Sequence, residues 1–366
     1  MRRGLDRILP QRRGADKRYK TTRRRRHVHK IKLELAPGLT VEFTDRERAL
    51  QQVEEFAERG TRFPVVIFGP EGCGKTAFLR QAAVMLRELG YEVFYLHPLE
   101  RRFEAELSLP DLRREFLQFV ERALGENALG RIVWAAVDFV RKLQRTRRGK
   151  IAVVADDVFQ VIGLDTAAAY VKALLNLIEY PDSSYENIVV LVATSEGVSR
   201  REIGRHFWAH LMPMWNMSKE GFQELYEKIP GEKPSFEEVW RWAGGNPRAL
   251  AQLYEAGWDV DRVVARLSVD KDLDSFVGLL ERGARELLWR AVESPDSLLS
   301  PEGAPLLERL IEKNLVMTSI TYRDPPLWID QPPPEEDLEL GIGRRVAWHT
   351  PLHREAVKKA LDKTAR

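Results

Sequence analysis

The chain has 366 residues, 44% of them hydrophobic and 31% charged, with a formal net charge of +3. That describes a soluble globular protein with room for two or three domains, and no apolar run approaches the ~18 residues of a membrane span. The single cysteine, Cys73, excludes an intramolecular disulfide and fits a reducing, cytoplasmic compartment.

The charge is unevenly spread. Residues 1–30 hold thirteen Lys and Arg against Asp6 and Asp16, a local +11 that leaves −8 on residues 31–366. This block has no apolar periodicity and contains Arg23, Arg24, Arg25 and Arg26 in a row. It lacks the apolar core of a signal peptide. It reads as a disordered basic arm for DNA or RNA, where neutralising phosphates would release counterions. A solvated tail, or an arm that meets an acidic protein surface, fits the same residues.

Residues 31–35 and 39–43 are short strand patterns around Pro37-Gly38, and Thr44-Asp45 reads as the cap of a helix running to Gly60. Residues 63–68 are an apolar strand. Gly69-Pro70-Glu71-Gly72-Cys73-Gly74-Lys75-Thr76 follows, and Ala77 opens a helix-period segment that stops at Gly90. The spacing is G-x-x-x-x-G-K-[ST], in its required context of strand, glycine loop and helix. The glycines let backbone N–H groups turn around the α- and β-phosphates of a nucleotide, and the helix N-terminus adds its positive dipole end. Lys75 can reach the β- and γ-phosphates, and the Thr76 hydroxyl can coordinate Mg²⁺. Cys73 is read as a small filler within the loop.

Residues 63–216 alternate strands with helices, the pattern of an α/β parallel sheet covered on both faces. Residues 91–96 give the second strand, and residues 110–148 two amphipathic helices. Residues 151–155 lead into Asp156-Asp157. A carboxylate at the carboxyl end of a buried strand is the place for a Mg²⁺-organising acid, with Asp156 on the metal shell and Asp157 at the water-activating position. Residues 166–180 form a helix. The strand 188–193 ends at Thr194-Ser195, two hydroxyls that on their own read as a strand cap. Arg200, Arg201 and Arg205 follow, a cluster that on its own reads as a solvated helix face.

Residues 217–268 are helix-patterned, with Ser218 as one cap and Ser235 opening a capping box. Gly245-Asn246-Pro247-Arg248 places a cap residue and an N1 proline before a helix, presenting Arg248 at its start. Residues 270–366 read as a winged-helix domain: helices over 272–293 and 301–314, strands at 315–322 and 344–348, and a last helix from about Pro351. The insertion between the strands is acidic and proline-rich. Glu302, Glu308 and Glu312 against Arg309 and Lys313 suit the helix 301–314 to protein contact better than to phosphates.

The ordered set resembles the archaeal-type P-loop ATPases of the AAA+/STAND superfamily. The set is the phosphate loop at 69–76, the carboxylates 156–157, the hydroxyl at 194, Gly-Asn-Pro-Arg at 245–248 and the terminal winged helix. Phe43 to Leu50 adds a box similar to the one that precedes the loop in that family, where it packs near the adenine. The resemblance covers roughly residues 38–366. It leaves the basic arm at 1–30 unexplained and implies an ATPase core at 31–216, a helical lid at 217–268 and a winged helix at 269–366. It also implies that Arg248 reads the γ-phosphate, that the Thr194 hydroxyl, with Ser195 close behind, polarises the attacking water or touches the γ-phosphate, and that Arg205 is the candidate arginine finger for a neighbouring site. Asp157 stands where most relatives carry Glu, so turnover is expected to be slow. The expected function is an ATP-driven switch acting on or near DNA, with a homo-oligomer or a protein partner at the winged helix. The alternatives are a regulatory ATPase assembling through protein contacts and, from another class, a small-molecule kinase.

Overall fold

The computed structural model describes residues 29–146, 148–182, 185–194 and 198–365. Arg23, Arg24, Arg25, Arg26 and Ser195 lie outside them. β1 (Lys32–Ala36) and β2 (Leu39–Glu42) form an antiparallel hairpin. It turns at Gly38, whose φ of +76° suits glycine. α1 (Glu47–Arg59) does not start at a Thr44 cap. Arg46 stands at its N-cap in the left-handed region, and the Thr44 hydroxyl donates to the Glu42 carbonyl at 2.7 Å.

The core then runs β3 (Val65–Phe68), α2 (Lys75–Glu88), β4 (Glu92–His97), β5 (Arg102–Glu106), α3 (Pro110–Gly125), α4 (Leu129–Thr146) and β6 (Lys150–Asp156). It continues with α5 (Phe159–Ile162), α6 (Leu164–Glu179), β7 (Asn187–Ala193), α7 (Val198–Gly204) and β8 (His210–Pro213). These strands form one sheet in the order β5-β4-β6-β7-β3-β8, parallel throughout except for β5. The period-2 alternation of a strand explains the two covered faces. Val66, Phe94, Val153 and Val190 pack under α3, α4 and α6, while Ile67, Val93, Val154 and Leu191 pack under α1 and α2. This is the α/β sheet expected from sequence, with the antiparallel edge strand β5 in addition.

Four helices follow: α8 (Lys219–Glu227), α9 (Phe236–Ala243), α10 (Pro247–Glu255) and α11 (Val260–Asp270). Each begins with a side chain that accepts a backbone N–H, from Ser218, Ser235, Asn246 and Asp259 respectively. Next come α12 (Leu273–Gly278), α13 (Arg282–Glu293), α14 (Ala304–Glu312), β9 (Val316–Met317), β10 (Ala347–Trp348) and α15 (Pro351–Ala365). The expected helix 272–293 is thus two helices, broken at Leu279–Glu281, and the expected strands 315–322 and 344–348 shrink to two residues each.

The reason for the short strands is visible in the segment between them. It turns back onto the six-stranded sheet instead of continuing the ladder. Trp328 is fully buried, Gln52 Nε2 donates to its carbonyl at 2.7 Å, and Ile329 N–H donates to the Pro213 carbonyl at 2.9 Å. Ile329 also pairs in parallel with Met214, extending the sheet beyond β8. One apolar core joins Phe222, Leu250 and Leu267 to Leu288, Trp348 and Leu352, and takes in Ala36, Leu39 and Val41 of the hairpin. Among the described residues no helix is long and apolar enough to cross a membrane.

Candidate nucleotide-binding site

The register of the sheet sets the site. Ile67 of β3 and Asp156 of β6 both stand opposite Ala193 of the intervening β7. The carboxyl ends of three parallel strands therefore deliver the phosphate loop, Thr194 and Asp156 to one place. Thr194 is buried, and its N–H donates to the Ile67 carbonyl at 2.9 Å, fastening β7 to the strand that feeds the loop.

The loop 69–74 is dictated by close approach. A Cβ on Gly69 would stand 2.0 Å from the Met214 carbonyl oxygen, and one on Gly72 would stand 2.3 Å from Arg248 Cβ. Both have positive φ. Gly74 caps α2 with no side-chain bond, and no acidic residue occupies the first turn. The first N–H groups of α2, beginning with Lys75, Thr76 and Ala77, are left for an anion. Lys75 Nζ donates to the carbonyls of Gly69 (2.8 Å) and Pro70 (3.1 Å), so its ammonium lies within the loop. Cys73 is buried under it, its thiol 3.6 Å from the Met214 carbonyl.

Beside Lys75 stand the carboxylates. Asp156 is 2% exposed; its burial pushes its pKa up against the lowering effects of a hydrogen bond from the Thr76 hydroxyl and of the nearby His97 and Lys75. Asp157 is likewise pushed up, by burial first and then by the Asp156 charge. Its φ of +49° is a strained conformation for a non-glycine residue, and it turns the chain sharply out of β6. Asp156 Oδ2 makes no hydrogen bond. A buried carboxylate with an orphaned oxygen, a half-buried carboxylate next to it and a threonine hydroxyl are the donor set of a hard divalent cation. The residues fit Mg²⁺.

Motif reasoning missed His97. It is buried at the end of β4, with Nε2 3.6 Å from Asp156 Oδ2 and 3.4 Å from Glu100 Oε1. Its place at a strand end, before Pro98, was the available signal. Arg46, inside the box 43–50, also holds the loop. It is 3% exposed and donates to the Cys73 carbonyl at 2.7 Å and the Trp215 carbonyl at 3.0 Å, while pairing with Asp330 at 2.8 Å. Asp330 lies in the acidic, proline-rich insertion between the two expected strands, so no local pattern marks it.

The Gly-Asn-Pro-Arg turn packs on the outer side of the loop. Asn246 Nδ2 donates to the Glu71 carbonyl (2.9 Å) and to Asn216 Oδ1 (2.9 Å), and Arg248 N–H donates to the Gly72 carbonyl (3.3 Å). Asn216 in turn donates to the His349 carbonyl at 2.9 Å. The Arg248 guanidinium meets Glu71 Oε1 at 2.8 Å, and Lys271 Nζ meets Glu71 Oε2 at 2.9 Å. Burial would raise the Glu71 pKa, but the hydrogen bond from Lys271 and the charges of Lys271 and Arg248 hold it below the usual carboxylate range. Arg205 stands apart from these contacts, exposed at the helix end and paired with Glu202 at 3.0 Å.

The sequence matches the model of a family described as an ATPase domain predominantly from Archaea, over residues 43–253. No curated protein matches it. Among solved structures it is similar to AMPPCP-bound DnaA from Aquifex aeolicus, at 16% identity over 73% of this chain and 77% of that one, TM-score 0.37. It is also similar to the Aeropyrum pernix Orc1 protein in complex with DNA, at 14% identity over 88% and 93%, TM-score 0.37. A third is Cdc6p from Pyrobaculum aerophilum, at 13% identity over 92% and 100%, TM-score 0.34. The family match covers more than half of the chain and contains the phosphate loop, both carboxylates, Thr194 and Arg248; the chain belongs to this family of ATPase domains found predominantly in Archaea.

Proposed function

We propose that the protein is an ATP-binding and ATP-hydrolysing switch of the AAA+/STAND type, with a basic N-terminal arm that acts on or near DNA. The observation that carries this reading is the convergence of Lys75, Thr76, Asp156, Asp157 and Thr194 on one sheet end, with the Arg248 turn seated on the same loop. In this reading residues 1–30 are the arm, 31–216 the ATPase core, 217–268 the lid and 269–366 a winged helix. The loop N–H groups and Lys75 bind the phosphates, and Thr76 and Asp156 hold Mg²⁺, which when bound neutralises charge on the phosphate oxygens. Asp157 accepts the proton of the attacking water, and Thr194 orients that water. Asp is one methylene shorter than the Glu usual in relatives, which favours slow turnover. Arg248 senses the γ-phosphate, so hydrolysis releases lid from core.

The DNA assignment rests on the arm's +11 charge within thirty residues. The described chain reaches the core at His29 and Ile31, which are held to α2 through Gln81. A second reading, a regulatory ATPase working through protein contacts, is favoured by the exposed glutamates 302, 308 and 312 on and before α14, which would repel phosphates. Under that reading Arg205 serves a neighbouring copy or stays a surface residue.

The test is ATP hydrolysis by the full-length protein with and without duplex DNA, at low and moderate salt, with Lys75→Ala as control. A rate raised by DNA, with the rise lost on deleting residues 1–30, supports the DNA reading. A slow rate indifferent to DNA supports the second.

A further inference from the structure

We propose that Lys271 is a second γ-phosphate-reading cation of this site, and that Glu71 competes with the triphosphate for both Lys271 and Arg248. The inference rests on the ATP reading above and extends it to a residue that no motif marks. Glu71 lies inside the phosphate loop, yet its side chain turns outward and divides its two oxygens between the two cations, at 2.8 Å and 2.9 Å. The Lys271 side chain is 19% exposed, against 60% for Arg248, so it is the better shielded and less screened of the pair.

Lys271 is also rigidly placed. It follows the last turn of α11, its N–H donates to the Leu267 carbonyl at 3.0 Å, and its own carbonyl accepts from Lys313 Nζ at 2.8 Å. An ammonium fixed beside the phosphate loop, opposite a carboxylate of that same loop, is positioned to exchange one anion for another. ATP brings more negative charge than ADP to the loop, and the γ-phosphate is the part that can displace Glu71. Lys271 stands between α11 and α12 and is tied to Lys313 beyond α14. Exchange of its partner therefore alters the footing of the C-terminal helices directly, and not solely through the Arg248 turn.

The experiment is equilibrium binding of ATPγS and of ADP to the full-length protein by calorimetry, with Lys271→Met, Lys271→Arg and Glu71→Gln. Lys271→Met is expected to weaken ATPγS about tenfold, the order of one charge-assisted hydrogen bond, while ADP affinity holds, and Lys271→Arg restores the ratio. Glu71→Gln frees both cations and tightens ATPγS severalfold relative to ADP. Equal loss of ATPγS and ADP in Lys271→Met, or no change in either, overturns the inference and leaves Lys271 a structural residue. If Lys271→Met fails to fold, an unchanged ATPγS/ADP ratio in Glu71→Gln overturns it as well. Wild-type protein that binds neither nucleotide overturns the ATP reading itself, a result distinct from all of these.

Discussion

Arg46 and Asp330, 284 residues apart in the chain, form a 2.8 Å ion pair with both side chains almost wholly buried. The same guanidinium holds the Cys73 carbonyl of the phosphate loop. Removing one partner strands a buried charge, which typically costs about 3–5 kcal/mol. Asp330→Ala is therefore expected to lower the free energy of unfolding by about that amount, read by urea denaturation. The double variant Arg46→Met with Asp330→Leu should recover much of the loss, because no unpaired charge remains. It would not restore the support given to the Cys73 carbonyl, so nucleotide affinity should stay reduced.

The roles proposed for Lys75 and Asp157 make a second, separable prediction. Lys75→Ala should remove phosphate binding and lower hydrolysis by at least about a hundredfold, as for loss of other electrostatic contacts to a reacting phosphoryl group. Asp157→Asn should bind ATP and still lower turnover roughly 10²–10⁴-fold, the range for a lost general base. Asp157→Glu should raise turnover above wild type if side-chain length limits the rate. Single-turnover kinetics separate the binding step from the chemical one.

His353 supplies a pH dependence. It is buried and its pKa is pushed down to about 3, by burial first and then by the neighbouring His349 and Lys271. Its Nδ1 lies 2.7 Å from the Thr350 hydroxyl. The folded chain keeps the ring neutral, whereas the unfolded chain protonates it below about 6.5. Between those values the unfolded state binds more protons, so this contribution is fully present above pH 6.5. It is lost as pH falls toward 3, at up to about 1.4 kcal/mol per unit. His353→Gln should flatten that part of the stability profile relative to wild type, measured by denaturation at pH 4 to 7.

Glycine at 69 is a steric requirement. A methyl group there would meet the Met214 carbonyl at 2.0 Å. Gly69→Ala must push β8 away from the loop, so it is expected to cost more than about 2 kcal/mol in stability and to abolish nucleotide binding. Gly38→Ala, where a Cβ meets nothing within 4 Å, carries only the cost of its positive φ. Comparing the two by thermal denaturation separates crowding from backbone strain.

How far the sequence reached follows from the range of the forces involved. The phosphate loop, the strand-end Asp156 and the Asn246 cap are local patterns, written in consecutive residues and fixed by backbone geometry. His97 was within reach as a strand-end side chain, but nothing in its neighbourhood says that β4 lies beside β6. Lys271 and Asp330 act through partners 200 and 284 residues away, and no periodicity encodes that. The strands 315–322 and 344–348 were overestimated for the same reason. Their β-branched and aromatic residues favour extended chain, yet Trp328 and Ile329 find a better burial site on the ATPase sheet.

The pairing of Ile329 with Met214 has a consequence for the order in which the molecule is completed. β8 is the outer strand on its side of the sheet, and the backbone just past its end pairs with Ile329, a residue made late in synthesis. A ribosome that has delivered residues 1–300 has produced every strand of that sheet, yet the Pro213 carbonyl still lacks the Ile329 N–H and Arg46 still lacks Asp330. The edge of the sheet and the support of the phosphate loop are therefore completed together, by the same late segment.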